Sequence, residues 1–247
     1  MKTNALLKNL LREEVIPVLT VPWPYFSLAA IRKDVTARRI ALADSTLLNY
    51  LQESVRHGLI HGAGRGWYST LAKPLVLARE EVAPVAGLIE KNFPFLSFAV
   101  WSTQQINPWM HHLLGKFVTF VHVEGEGVAA VWELLRDSGY DAYRDPGKRE
   151  AKAFAVRDKT VVVRPGSPAQ APVDGHYALP EKLFVDLAWE LETLPLMDAA
   201  EFNGLFSSAT RAGRLDIAVL LRYSSRKRLM GRFIKLIDSV SSQNVIS

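Results

Sequence analysis

Residues 44–68 read DSTLLNYLQESVRHGLIHGAGRGWY. Asp44 predicts an N-cap, because its carboxylate accepts from the amides of a first helical turn. Leu47, Leu48, Leu51 and Val55 recur at helical spacing and give one apolar stripe. Gly58 supplies the left-handed conformation that a helix end commonly needs. Leu59, Ile60 and His61, a glycine-rich turn at 62–66, then Trp67 and Tyr68 predict a small hairpin directly behind the helix. The polar face of the helix holds Ser45, Thr46, Asn49, Gln52 and Arg56, residue types that reach base edges or phosphates. A helix with such a face and a hairpin behind it is the expectation for the DNA-contacting half of a winged helix-turn-helix, the alternative being a winged helix used for protein contact.

The preceding residues complete that expectation. Residues 4–14 are amphipathic, with leucines at 6, 7, 10 and 11, and predict a first helix. Pro22 and Pro24 break the chain after it. Ser27 predicts the cap of a second helix through Lys33, with Leu28 and Ile31 facing inward; residues 37–42 then lead to the third. Arg38 and Arg39 before that helix, and Arg65 in the turn, sit where phosphates would pass, which predicts an affinity that falls steeply with salt. Arg65 also suits a narrow minor groove. Tyr50 suits either a backbone contact or simple packing. Gly62, Gly64 and Gly66 do not predict a phosphate cradle, since such a loop opens a helix and here strand-forming Trp67 and Tyr68 follow.

At 247 residues the chain is long enough for two domains. With 49% apolar and 22% charged residues it reads as globular. The absence of cysteine excludes disulfides, thiolate metal sites and a cysteine nucleophile. Lys2, Lys8, Arg12, Glu13 and Glu14 interrupt the N-terminal leucines, so a signal peptide is not expected, and a cytoplasmic location is. The net charge of +5 is uneven: +4 over residues 1–70, −5 over 71–205 and +6 over 206–247. Two basic ends around an acidic middle suggest two electropositive surfaces, with nucleic acid the leading partner for at least one.

Further along, residues 73–89 look helical in part, interrupted by Pro84. Residues 95–101 predict a buried strand, and Ser102 or Thr103 the cap of a helix to about Leu114. Residues 116–123 predict a second strand. Residues 127–138 predict a helix with Val128, Val131, Trp132 and Leu135 on one face. Short strands are expected at 153–156 and 160–163, and a Pro/Gly-rich linker or surface loop at 164–179. Helices follow at roughly 180–193, 198–210, 213–223 and 226–240. The expected class is α+β: a winged helix-turn-helix (1–70), a mixed α/β part (71–165) and a C-terminal helical bundle (166–247).

Four segments carry a family resemblance. Residues 179–187, LPEKLFVDL, resemble the LEKLLVDL helix of the AbiEi family of abortive-infection antitoxins; residues 220–228, LLRYSSRKR, resemble its LLRYARRR segment. Residues 100–103, VWST, and 117–124, FVTFVHVE, are similar to its WST and FTFVEVE strands. Pro180 and Phe184 replace the commoner leucines, and Ser224-Ser225 thins the basic run. The resemblance implies the antitoxin of a type IV toxin–antitoxin operon. Its winged helix represses the operon at inverted repeats in the promoter, and its C-terminal domain counters a nucleotidyltransferase-like toxin. A stand-alone regulator without a toxin is the alternative.

Arg222, Arg226, Lys227, Arg228 and Arg232, with Lys235, form the densest basic patch, read as a docking face for an acidic partner, as a second nucleic-acid contact or simply as a solvated helix face. Arg222, Arg226 and Lys227, or Arg228 with Arg232, recur at helical intervals of about four and are spaced to share one helix side. Glu181 and Asp186 would diverge by about 140° on a helix and are not expected to be catalytic. His111 and His112 are adjacent, and a glycine separates His57 from His61, so neither pair predicts a metal site. No cofactor, catalytic constellation or membrane partner is expected. Trp101, Trp109, Trp132 and Trp189 read as core aromatics.

Overall fold

The structure, a computed structural model, describes residues 8–40 and 42–242; residues 4–7 of the first expected helix lie outside them. The first helical segment, α1 (residues 8–20 of the described chain), is helical from residue 8, takes a π-type turn at Leu11–Val15 and continues as α-helix over Ile16–Thr20. Pro17 has no N–H to donate and its ring crowds the preceding turn, which the wide turn before it accommodates. The segment therefore runs past the expected end at Glu14. After Pro22 and Pro24 comes β1 (Tyr25–Ser27). Ser27 then caps α2 (Leu28–Ala37), its Oγ accepting from Ala30 N at 3.0 Å. That cap matches the sequence expectation, although the helix extends to Ala37.

Helix α3 (Asp44–Arg56) departs from expectation in two respects. Ala43 is the N-cap residue and makes no side-chain cap, whereas Asp44 forms a two-pronged ion pair with Arg32 on α2, at 3.0 and 2.9 Å. The buried stripe is Leu47, Tyr50, Leu51 and Ser54, one step out of phase with the expected one, and Val55 is exposed. Gly58 has φ +70°, as a helix end of this kind requires. Strands β2 (His61–Gly62) and β3 (Trp67–Ser69) form the expected hairpin, and β3 lies between β1 and β2 in an antiparallel three-stranded sheet. Leu11, Val15, Phe26, Ile31, Val35, Leu47, Leu51 and Ile60 make a common core for these elements.

The next stretch builds a six-stranded sheet. Pro84 lies in the first turn of α4 (Ala83–Asn92), so it starts this helix rather than interrupting one. Strand β4 (Phe98–Ser102) is followed by a 3₁₀ segment at Thr103–Trp109, held by a Ser102/Gln105 capping box and ending well before Leu114. Then come β5 (Val118–Val123), α5 (Val128–Asp137), β6 (Asp141–Arg144) and β7 (Thr160–Pro165). No strand forms at 153–156; the strand beside β7 is β6, which is polar and short. The expected linker at 164–179 instead supplies the end of β7 and a hairpin, β8 (Val173–Asp174) and β9 (Tyr177–Ala178), that extends the sheet through β4.

The sheet order is β6-β7-β5-β4-β9-β8, with β6, β7 and β5 parallel and β4 antiparallel to β5. On one face, Val121, Val123, Val161 and Val163 pack with Val85 and Ile89 of α4 and Val131 and Leu135 of α5. Helices α6 (Pro180–Glu190) and α7 (Ala199–Ala212) follow, joined by the Phe184–Phe206 ring contact. The last described elements are α8 (Ile217–Arg226) and α9 (Met230–Ser242).

Among the described residues the fold is mixed α and β, with two sheets and a helical C-terminal part. It divides into two units: unit 1 comprises residues 1–75 and 210–247, and unit 2 residues 76–209. This division differs from three consecutive segments because the last helices return to the first seventy-five residues. Backbone pairing makes the return explicit: Leu75 N–H donates to Arg214 O and Arg214 N–H to Lys73 O, both at 2.9 Å. Buried side chains reinforce it, with Trp23 Nε1 donating to Thr210 Oγ1 (2.9 Å) and Tyr25 Oη to Gly213 O (2.9 Å).

Candidate functional site

The polar face of α3 stands in solvent. Ser45, Asn49, Gln52 and Arg56 are all exposed, and Thr46 is half-buried. Intervals of four, three and four put the exposed side chains in one row along the helix. The row exists because Leu47, Leu51 and their neighbours take the opposite side into the core. Tyr50 belongs to that buried side at 7% exposure, so of its two expected roles it takes packing, and it leaves the set of surface contacts.

The flanking arginines differ from one another. Arg38 donates from Nε to Asp34 (2.7 Å) and from Nη1 to Glu14 (2.8 Å); the hydrogen bond to Asp34 leads the effects that raise its pKa. Two carboxylates already neutralise it, which argues against the expected phosphate contact. Arg39 is exposed, in a left-handed conformation at φ +56°. Arg65 is exposed at the hairpin turn, between Gly64 (φ +97°) and Gly66 (φ +76°). At the hairpin base, burial and then the Arg214 charge hold the His61 pKa below its usual value. On α3 itself, the hydrogen bond from Lys8 keeps the Glu53 carboxyl below the ordinary range.

The C-terminal basic residues do not form one helix side. Arg222 and Arg226 lie on α8, Lys227 and Arg228 follow its end, and Arg232 lies on α9. Arg228 turns left-handed at φ +60°, so it and Arg232 belong to different elements, contrary to their sequence spacing. Arg222 and Arg228 are exposed. Unit 1 holds eighteen Lys/Arg against seven Asp/Glu, a net of +11; unit 2 holds twelve against eighteen, a net of −6. The basic ends of the sequence thus belong to a single unit.

Sequence reasoning missed a buried ionic cluster in unit 2. His122 on β5 and Arg164 on β7 are register partners, so both project to the sheet face opposite the valine-rich core. Arg164, 3% exposed at its side chain, grips Glu190 of α6 at 3.0 and 2.6 Å, and also reaches Asp145 and Pro146 O. Burial opposes the Arg164 charge, but Glu190 and then Asp145 outweigh it and raise its pKa. Lys182 pairs with Asp186 one turn along, and His122 Nε2 lies 3.7 Å from Asp186. Glu181 is buried as well. The available signal was Lys182, Asp186 and Glu190 at intervals of four, with Glu181 beside them, in a helix whose remaining residues are all apolar. Such charges have no solvent face to occupy.

Among the described residues, no group of three or more His, Asp or Glu side chains is placed to hold a metal ion. His111 and His112 are exposed and meet edge-on at 4.6 Å between ring centroids. Trp101 is a core residue, whereas Trp109, Trp132 and Trp189 are only partly buried. Among the described residues, no helix is long and apolar enough to cross a membrane.

No curated protein matches the chain, and no solved structure does. A family model does match, over residues 46–243, from the exposed helix α3 to beyond the last described helix: the protein belongs to DUF6577, a family of unknown function.

Proposed function

We propose that the protein is a sequence-specific DNA-binding regulator, with the N-terminal part of unit 1 acting as a winged helix-turn-helix. In this reading α3 enters the major groove and the β2–β3 hairpin is the wing. The observation that carries it is the exposed row Ser45, Asn49, Gln52 and Arg56, backed by a hairpin and borne on a unit of net charge +11. Asn49 and Gln52 have the donor–acceptor pairs that match adenine N6 and N7. Arg39, Arg56 and Arg65 supply positive charge for the phosphates on either side.

Following the AbiEi resemblance, we further propose that the duplex is the chain's own promoter and that the protein counters a nucleotidyltransferase-like toxin encoded beside it. The antitoxin role then falls first to unit 2, which contains the FVTFVHVE strand and the LPEKLFVDL helix.

Binding of the full chain to its promoter, against a scrambled duplex at several ionic strengths, tests the first part. Preferential binding that weakens with salt is expected, and equal affinity for both duplexes would overturn sequence-specific reading. Asn49→Ala should relax discrimination at one base pair, by roughly 1–3 kcal/mol for a two-pronged contact. A uniform loss over all site variants would remove Asn49 from that role. Co-expression with the neighbouring reading frame tests the second part: growth arrest that the full chain does not relieve would refute the antitoxin role.

A further inference from the structure

The hairpin turn is fastened to the last part of unit 1. Ile217 N–H donates to Ala63 O at 2.8 Å, and Asp216 caps α8 by accepting from Val219 N at 2.8 Å. Gly64 presses on the same place. A Cβ there would lie 2.2 Å from Asp216 Oδ1 and 2.6 Å from Ala218 Cβ. Ala218 therefore faces the turn.

Arg222 is four residues beyond Ala218 on the same helix. At about 100° and 1.5 Å per residue it lies roughly 6 Å further along and only about 40° around the axis. Ile217, Leu220, Tyr223 and Ser224 occupy the buried side of α8, which leaves Arg222 exposed next to the turn. Arg65 directly follows Gly64 and is exposed too. Two arginines from distant parts of the sequence thus share one stretch of surface.

We propose that α8 extends the duplex-binding surface beyond the hairpin, with Arg222 neutralising a DNA phosphate close to the one met by Arg65. The proposal rests on the DNA-binding reading above and adds a contact that the N-terminal residues cannot provide. The charge of unit 1 favours a polyanion over a protein as the occupant. An acidic surface rarely presents charge as densely as a duplex, with one phosphate per 1.7 Å or so of axis. The contact is to the backbone, so it adds affinity and salt dependence without adding sequence preference.

The test uses the full chain and two fluorescent duplexes, its own promoter and a scrambled sequence of equal length, titrated by anisotropy at several salt concentrations. Arg222→Ala is expected to flatten the log affinity against log salt slope by about 0.9, the value for one lost phosphate contact. The loss should be equal on both duplexes. Arg222→Lys should retain the slope, which separates lost charge from damaged folding. Lys152→Gln, the same charge change in unit 2, should leave it unaltered. If the wild-type chain binds the promoter but Arg222→Ala keeps the full slope, the proposal is overturned and Arg222 is left for an acidic protein partner. If the wild-type chain binds neither duplex, the DNA-binding reading itself falls.

Discussion

At the scale of single residues, Gly64 ties the hairpin turn to α8, since a Cβ there would lie 2.2 Å from Asp216 Oδ1 and 2.6 Å from Ala218 Cβ. Gly58 was recognisable as a helix end, because a left-handed residue after a polar last turn is a local requirement. Gly64 was recognisable as part of a turn, yet its close approach to Asp216 and Ala218 depends on residues some 150 positions away, and no local pattern encodes it. Tyr50 was ambiguous for a related reason: its side is set by the phase of the helix, which Leu48 and Val55 blurred. Gly64 supports a direct prediction. Gly64→Ala imposes a positive φ on a residue with a Cβ, at about 1–2 kcal/mol, and pushes that Cβ into α8, at about 1–3 kcal/mol more. Denaturant unfolding should show a loss of about 2–5 kcal/mol from these two effects together. Gly62→Ala, where a Cβ meets nothing within 4 Å and φ is not left-handed, should be close to neutral. Equal effects at both positions would mean that the turn is not held against α8.

At the scale of elements, strongly patterned segments were legible and weakly patterned ones were not. β5 and α5 announced themselves through β-branched density and a helical stripe. β6, Asp-Ala-Tyr-Arg, has no apolar alternation, since it is a half-buried edge strand. β8 and β9 hid within proline- and glycine-rich sequence that reads as loop, though Gly175 at φ +60° simply turns their hairpin. Helix α6 was legible as a helix while its purpose was not. Its charges compensate Arg164 and Lys182 inside the protein, where a pair costs desolvation and a broken pair costs far more. Glu190→Ala should therefore destabilise unit 2, by less than the roughly 3–5 kcal/mol of a wholly unpaired buried charge, since it removes the two-pronged partner of Arg164 and leaves Asp145 and Pro146 O. The double change Arg164→Met, Glu190→Leu removes both charges and should be less harmful than either single change. If the two single losses merely added in the double variant, the pair would not be the source of the cost.

At the scale of the whole molecule, the sequence carried a clue that its linear order concealed. The excess of positive charge at both ends belongs to one unit, because the chain leaves that unit near residue 75 and re-enters it near residue 210. Periodicity shows that α8 and α9 each have an apolar side, but the surface covering that side cannot be read from their own residues. The discontinuity bears on how the two units are separated experimentally. Cutting after residue 70 removes β1, Trp23 and Tyr25, and with them the buried hydrogen bonds to Thr210 and Gly213. Leu220, Phe233, Leu236 and Ile237 on the last two helices are buried in the full chain. A fragment of residues 76–209 keeps the valine-rich core and the Arg164–Glu190 pair complete. The shorter fragment, 76–209, should thus unfold cooperatively and remain monomeric. The longer one, 71–247, should expose apolar helix faces, bind a hydrophobic dye and exchange the amides of 217–242 rapidly. Protection of those amides as strong in 71–247 as in the full chain would show that the last helices do not depend on the first seventy residues. Unit 1 would then have no energetic meaning as one body.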